Sequence, residues 1–316
     1  MSTAVREHSR QRGVAIISAL LIAAVVAVLA AGMLTRQSLS TRSLEAERSR
    51  VQGHAALLGG LEASRQLLWD AYRLQTSTRL DQIWAQSIKL DLGDADFEGR
   101  LEDQQGKFNL RNLIAGQRVN LRELRSFERL CAMLGLEPDI AQRIGQRVIA
   151  GFAQQAHQPP AQGRGSTSPE LEARVIPASR PMLRSLDELQ AVAGVDMHVL
   201  ARLMPHVSIL PVTTWVNGNT ASAEVLAAVV PGLSLPQAQA LVAERDRGLW
   251  FLNRGDFLNR LRAPQLTVDD LDVGTSSEWF LLQGHARLDK RRTRMQALLY
   301  RSQSDLPSVI WSRLGT

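Results

Sequence analysis

The stretch VAIISALLIAAVVAVLAAGMLT, residues 14–35, decides the fold of the first part of the chain, because it runs for 22 residues without a charge. A helix of that length spans about 33 Å, which is enough to cross the hydrocarbon core of a bilayer. Arg6, Arg10 and Arg12 precede it, against the single acid Glu7. The positive-inside rule therefore predicts that the residues before the stretch stay in the cytoplasm and that the rest of the chain is exported.

A basic start followed by an apolar run fits three kinds of N-terminal signal. The first is a signal anchor that is not cleaved. The second is a secretory signal cleaved near Val28-Leu29-Ala30, although the apolar run is longer than the usual ~7–15 residues. The third is a type IV prepilin-like signal, in which a peptidase cuts between Gly13 and Val14. That cut leaves the whole apolar run as the mature N-terminus.

The fifth residue after the Gly13–Val14 junction is Ser18, where most pilin-like proteins carry a glutamate. In those fibres the glutamate meets the N-terminal amine of a neighbouring subunit. A carboxylate within lipid is costly and is kept only for a partner. Its absence predicts either a protein outside the pilin class or a subunit that lacks the usual neighbour.

Composition places the rest of the chain among ordinary globular proteins. The 316 residues carry a net charge of +6, with 22% charged and 45% hydrophobic residues. This length holds one large or two modest domains beyond the apolar helix. Cys131 is the only cysteine, so no intrachain disulfide can form and the fold depends on its hydrophobic core.

Hydrophobic spacing predicts that the helix continues well past the apolar stretch, from Val14 to Leu74. Leu57, Leu61 and Leu68 recur at helical intervals and share one face. A strand is predicted over 96–103, where apolar and polar residues partly alternate.

Helices and a long loop follow that strand. Asn120 is predicted to cap a helix through Leu134, and Glu137 is predicted to start another through about Ala153. Residues 154–181 hold five prolines and two glycines, which indicates a loop. Loops of this length are usually functional or disordered.

Two helix-turn-helix-like units come next, over residues 185–204 and 216–258. In the second unit Thr220 is the predicted helix cap, and the turn at 230–233 leads to a helix over 235–245. The segments 279–286 and 292–300 then predict a β-hairpin. Because the helices lie between the first strand and the last two, the predicted class is α+β.

The chain shows no motif for catalysis, so we expect no enzymatic activity and no catalytic residue. Its histidines are scattered, and no phosphate-binding loop or nucleophile elbow occurs. Glu170 and Glu172 are the only carboxylates between Ala150 and Leu186, a stretch that also holds four arginines.

Nucleic-acid binding is the sharpest alternative from the residues alone. Pro231-Gly232-Leu233 between two helices is similar to a helix-hairpin-helix, whose backbone amides hold a DNA phosphate. Against it, Ser234 replaces the second glycine of such hairpins, and Glu244 and Asp246 prevent a basic face on the next helix. A small structural or protein-binding module is the other interpretation.

Several of these features in this order resemble the K-type minor pseudopilins of bacterial type II secretion systems, over nearly the whole chain. The resemblance rests on the Arg-Gly-Val-Ala leader junction, on Ser18 in place of glutamate, and on the arginine-rich last hairpin. It also rests on two motifs, Asp103-Gln104-Gln105-Gly106-Lys107-Phe108-Asn109-Leu110 and Asn217-Gly218-Asn219-Thr220-Ala221-Ser222.

The resemblance implies a pilin-like fold, with a long transmembrane helix and a small antiparallel sheet that carries a large helical insertion of two SAM-like modules. The implied boundaries begin with a cytoplasmic leader over 1–13 and a transmembrane helix over 14–35, followed by the rest of the helix and the first strand over 36–110. The insertion covers 111–275 and divides into a first part over 111–210, which contains the loop 154–181, and a second part over 211–275. A C-terminal hairpin over 276–316 ends the chain.

The resemblance also implies a function and partners. The chain would sit at the tip of the secretion pseudopilus, start its assembly and cap the fibre during export of folded proteins across the outer membrane. Its partners would be the I-, J- and H-type minor pseudopilins, the major pseudopilin and the prepilin peptidase, which would cleave before Val14 and methylate its amine. It would cross the inner membrane once, with most of the chain in the periplasm.

Members of this family can bind calcium in the loop between the helical halves, and here we expect that site to be lost. Calcium takes roughly six to eight oxygen ligands, several of them carboxylate. Glu170 and Glu172 among four arginines are weak candidates, so no cofactor is predicted. Two other functions stay open: a membrane-anchored DNA-binding protein, and an exported helical protein whose signal is removed.

Overall fold

The computed structural model describes the backbone of residues 7–155, 175–288 and 291–315. In these ranges the chain forms a long N-terminal helix, a five-stranded antiparallel sheet, and a block of short helices between the second and third strands of that sheet. One large hydrophobic core lies between the long helix and the sheet, and another lies inside the helical block. The α+β class predicted from the sequence is confirmed.

Helix α1 (Glu7–Leu74) contains the predicted long helix and begins seven residues before the predicted start. The earlier start follows from residues 7–13, which include glutamate, glutamine and arginine, all good helix formers. Residues 16–34 are exposed and apolar, whereas Leu57 and Leu68 further along are fully buried against the sheet. The helix is therefore hydrophobic all round in its first half and amphipathic in its second.

The main sheet contains two strands that the sequence pattern did not predict. Its order is β1-β2-β3-β4-β5, with every neighbouring pair antiparallel. The second strand and the hairpin of the third and fourth strands are confirmed, and each hairpin strand extends beyond its predicted bounds. The strands are β1 (Ile88–Asp91), β2 (Asp96–Asp103), β3 (Trp279–Leu288), β4 (Arg291–Tyr300) and β5 (Ser308–Gly315).

Phe97 fixes α1 on the sheet. Its side chain is only 1% exposed and lies against three glycines, Gly60 of α1, Gly99 of β2 and Gly284 of β3. A Cβ atom at those positions would stand 2.3, 2.7 and 2.7 Å from the ring. The three glycines thus form a slot that admits the phenyl ring because they have no side chains.

In the described residues, the helical block is built from six short α-helices and three 3₁₀-helices, Leu110–Leu113, Leu186–Ala191 and Val268–Asp270. Four two-residue strand pairs connect its segments; two of them are parallel, joining Phe108–Asn109 to Val207–Ser208 and Val216–Asn217 to Val273–Gly274. The α-helices are α2 (Leu121–Met133), α3 (Pro138–Ile149), α4 (Met197–Leu203), α5 (Ala223–Val229), α6 (Leu235–Asp246) and α7 (Arg254–Leu261).

Local details of the block confirm one predicted cap and correct another. The Asn120 side chain accepts hydrogen bonds from the backbone N–H groups of Arg122 and Glu123 at the start of α2, as predicted. The prediction that Thr220 caps the later helix is wrong, because Ser222 accepts from Val225 N and caps α5.

Two further predictions need correction. Helix α3 ends at Ile149 rather than near Ala153, because Gln154–Gln155 pairs as a short strand with Val175–Ile176. The first helix of the 185–204 unit is a 3₁₀-helix, with i→i+3 hydrogen bonds, rather than an α-helix.

Candidate functional site

The apolar part of α1 is the first candidate functional element. Residues 16–34 form a 19-residue apolar segment of which none is buried in the structure. At about 1.5 Å per residue, a segment of this size reaches roughly 29 Å, close to the thickness of a bilayer core. Exposing a helix that is apolar on every side to water is unfavourable, so this geometry is consistent with a single membrane anchor.

The predicted processing residues lie at the start of this helix. Gly13 and Val14 belong to the α1 backbone just before the apolar segment, and Ser18 lies within it. The two weak metal candidates, Glu170 and Glu172, lie outside the described residues. Among the residues that the structure does describe, no group of three or more His, Cys, Asp or Glu side chains is placed to hold a metal ion.

A buried polar cluster joins the sheet to the helical block, and sequence reasoning did not find it. At its centre is Asp103, the last residue of β2, which is 6% exposed. Its Oδ2 atom accepts hydrogen bonds from Asn217 Nδ2 at 3.0 Å, Thr220 Oγ1 at 2.6 Å and Ser277 Oγ at 2.6 Å. Its Oδ1 atom accepts from Gln105 N at 2.8 Å. Three of the four donors, Asn217, Thr220 and Ser277, lie 114, 117 and 174 residues from Asp103 in the sequence, whereas Gln105 is its near neighbour.

Arg301, just after β4, belongs to the same buried polar cluster, which we call the polar junction. Its Nη2 atom donates to Thr78 Oγ1 at 2.7 Å and to the Ser277 carbonyl at 2.6 Å. Its guanidinium also lies over the rings of Tyr72, at 4.9 Å, and Phe280, at 4.8 Å. The junction therefore ties together the segment after α1, the end of β2, the block and the last hairpin.

Burial disfavours the charged forms of both Arg301 and Asp103. Desolvation lowers the pKa of Arg301 to about 10, and the charge of Asp103 acts in the opposite direction. Desolvation raises the pKa of Asp103, while the hydrogen bonds from Ser277, Thr220, Gln105 and Asn217 lower it. Such a cluster is stable only while every buried polar group in it has a hydrogen-bond partner, because each group has given up its hydrogen bonds to water.

Glu123 of α2 is another buried acid, and its environment differs from that of Asp103. It is 4% exposed, and burial, followed by the charge of Asp272, raises its pKa from 4.5 to about 7. Arg122 and Arg129 partly oppose this shift. A carboxyl group with such a pKa titrates near neutral pH rather than in acid.

Replacing Glu123 with glutamine should make stability less sensitive to pH. The folded-state pKa of Glu123 is raised, so between pH 4.5 and 7 the folded chain holds a proton that the unfolded chain has lost. Folding stability therefore falls as pH rises through this range, by up to about 3 kcal/mol for this group. In denaturant titrations we expect the glutamine variant to match the parent near pH 4.5 and to exceed it by about 1–3 kcal/mol at pH 8. The same substitution at exposed Glu137 is the control, and an equal response of both variants would contradict the assignment.

The positions of three further residues, Cys131, Gly232 and Arg245, indicate structural roles. Cys131 is buried in α2, and burial raises the pKa of its thiol to about 12, so the thiolate that reacts is scarcely formed. In the segment that is similar to a helix-hairpin-helix, Gly232 has φ +75° and makes the turn between α5 and α6. Arg245 of α6 is buried and donates to the carbonyls of Gly218 and Ala221, at 3.0 and 2.6 Å.

A membrane-length helix that continues along an antiparallel sheet, with a helical block inserted between two strands of that sheet, defines a pilin-like subunit. The chain belongs to the type II secretion system protein K family. Models of this family, described as "Type II secretion system (T2SS), protein K", match residues 106–212 and 216–275. It is thus a minor pseudopilin of type II secretion, a family of structural components rather than a known class of enzyme.

Curated relatives extend this membership to the N-terminal helix. A type II secretion system protein K from Pseudomonas aeruginosa is 30% identical over 96% of this chain and 93% of its own length. The protein of the same name from Pectobacterium carotovorum is 27% identical over 93% of this chain and 94% of its own. The similarity is therefore not confined to the helical block.

A solved structure shares the fold. It belongs to the GspK-GspI-GspJ complex of the type 2 secretion system from enterotoxigenic Escherichia coli, and it matches with a TM-score of 0.63 at 19% identity. The match covers 85% of this chain and 99% of that one. At this level of identity the likeness concerns the fold alone.

Proposed function

We propose that this chain is the tip subunit of a type II secretion pseudopilus, where it starts assembly and caps the fibre. The supporting observation is the placement of the helical block. The polar junction sets the block near Thr78, beyond the C-terminal end of α1, whereas Arg291 at the other end of the sheet contacts the Ala46 carbonyl. The block thus lies at the end of the sheet opposite the apolar segment, where it would obstruct the addition of another subunit.

The proposed partners rest on the comparison with a solved structure, and the proposed topology rests on the apolar segment. The relative with the shared fold stands in a complex with GspI and GspJ, so the I- and J-type minor pseudopilins are the partners we propose first. The H-type and major pseudopilins would lie further down the fibre. The apolar segment would hold the chain in the inner membrane before assembly, with its leader in the cytoplasm and the sheet and block in the periplasm.

The finer features expected of the family belong to this proposal as well. The peptidase would cut between Gly13 and Val14 and methylate the new N-terminus. Ser18 would suit a subunit with nothing stacked above it, because no glutamate charge has to be matched there. The two halves of the block would act as SAM-like modules without calcium, and a melting assay in which calcium stabilises the full chain would contradict that last point.

Blocking the cleavage site tests the proposed function. A Gly13→Val variant should keep its leader, since the peptidase would require glycine there, and secretion should fall to the level of a deletion strain. The measurement is the mass of the N-terminal peptide from membranes, together with the secreted fraction of a native substrate. Gly32→Val is the matched control, because nothing lies within 4 Å of the position that a Cβ would take at Gly32. A parent chain that keeps Met1 or begins beyond Ala30 would contradict the proposal.

A further inference from the structure

The strand β5 is an open edge of the sheet with an unusual composition for an edge. It pairs with β4 on one side and ends the strand order. Val309, Ile310 and Leu314 are 38, 45 and 56% exposed. Edge strands usually carry charges or prolines that prevent pairing with another chain, because their unpaired N–H and C=O groups accept a further strand. β5 has eight residues with one charge, Arg313, and three exposed apolar side chains, so its open edge is a surface that a partner can extend.

An apolar pocket opens beside this edge. The β4–β5 register shifts between Leu298 and Leu299, which pair with Trp311 and Val309, so Ile310 is left as a bulge. Ile310 and Trp311 line one side of a pocket of about 280 Å³, and the helical block supplies the other side through Leu110, Phe152 and Met182. This size suits one large apolar side chain rather than a whole helix.

Arginines surround the pocket. Arg111, Arg184 and Arg313 are among its lining residues, and none of the lining residues is acidic. Two of the guanidinium groups lie over aromatic rings, with the Cζ atom of Arg111 4.4 Å from the centre of the Phe152 ring and that of Arg313 4.6 Å from the centre of the Trp311 ring. An arginine that packs on an aromatic ring loses part of its freedom, and its planar fork of N–H donors matches a carboxylate.

We infer that β5 and its pocket bind an extended acidic segment of a partner pseudopilin, which adds as a sixth strand and places one apolar side chain in the pocket. The inference rests on the proposed function, because it assigns a surface to the partners named there. Three properties determine the occupant: the open edge requires an extended backbone, the pocket takes one large side chain, and the arginines require a neighbouring carboxylate.

Binding between the full-length chain in detergent and purified I- and J-type subunits tests the surface. Ile310→Glu and Arg313→Glu should each weaken binding of at least one partner by roughly tenfold or more, since they bring a negative charge to the pocket and its rim. The matched controls lie at the opposite edge of the sheet. Leu92→Glu replaces an apolar side chain that is 44% exposed, and Lys89→Glu reverses a charge that is 74% exposed. Both controls should bind as the parent does.

Hydrogen exchange of the unmodified chain gives a second measurement that does not depend on a variant folding correctly. On complex formation, alternate amides of Trp311–Gly315 should exchange more slowly by about tenfold or more, because only every second N–H of an edge strand points outward. Amides of β1 should change little.

The outcomes separate the inference from the proposed function. If the parent binds neither partner, the proposed function fails and this surface assignment fails with it. If the parent binds while the Ile310 and Arg313 variants bind equally well and β5 amides stay unprotected, only the surface assignment is overturned. Protection of β5 that arises from self-association of this chain, without a partner, would also overturn it.

Discussion

Replacing Asp103 with alanine should lower the free energy of unfolding by about 3–5 kcal/mol, one of the largest losses expected for any single substitution in this chain. The change removes the acceptor for four hydrogen-bond donors and leaves them buried. It also leaves the buried Arg301 without the opposite charge that raises its pKa. Breaking one partner of a buried network costs more than the network contributes, because the remaining groups cannot return to water.

Thermal and denaturant unfolding of the full chain in detergent measures this loss, with tryptophan fluorescence as the probe. Asp94→Ala is the control, since Asp94 is exposed, and it should stay within about 0.5 kcal/mol of the parent. Because the junction joins two cores, we expect the sheet and the helical block of the Asp103 variant to melt at separate temperatures. A variant that keeps both the parent stability and a single transition would show that the junction does not couple the two parts.

The sequence predicted those parts of the fold that are encoded by neighbouring residues. The long helix and the β3–β4 hairpin follow from local periodicity, and the Asn120 cap follows from one side chain and the two N–H groups after it. The polar junction could not be predicted in this way. Thr78, Asp103 and Asn217 meet only when the whole chain folds, and each of them is an ordinary polar residue in its own segment.

The missed strand β5 and the misassigned helix cap have different explanations. The residues of β5 are almost all exposed, so burial imposes no apolar–polar alternation on that strand. At the start of α5, Thr220 and Ser222 both have side chains that can cap a helix. The hydroxyl of Thr220 is instead drawn to Asp103, a residue 117 positions away. The sequence showed both motifs, one beginning at Asp103 and the other at Asn217, but it did not predict that hydrogen bonds join them.

Two neighbouring glycines of α1 should respond in opposite directions to the same substitution. At Gly59 an alanine Cβ would meet only Leu92, at an ordinary 3.5 Å, so Gly59→Ala should stabilise the helix by about 0.5–1 kcal/mol. At Gly60 the same Cβ would come within 2.3 Å of the Phe97 ring, a separation that real atoms do not tolerate. Gly60→Ala should therefore destabilise the protein by about 2–3 kcal/mol, because either the ring or α1 has to shift.

A second substitution distinguishes this clash from a general effect on the helix. Phe97→Leu costs stability in the parent, since it leaves part of the glycine slot empty. In the Gly60→Ala background the smaller leucine makes room for the new methyl group, so the two changes together should destabilise less than the sum of the single changes. Thermal unfolding of the four chains measures this coupling. Additive effects would mean that Phe97 does not hold α1 against the sheet. Coupling would show that the helix carrying the apolar anchor is fixed to the sheet at this ring, because Gly60, Gly99 and Gly284 come from both of them.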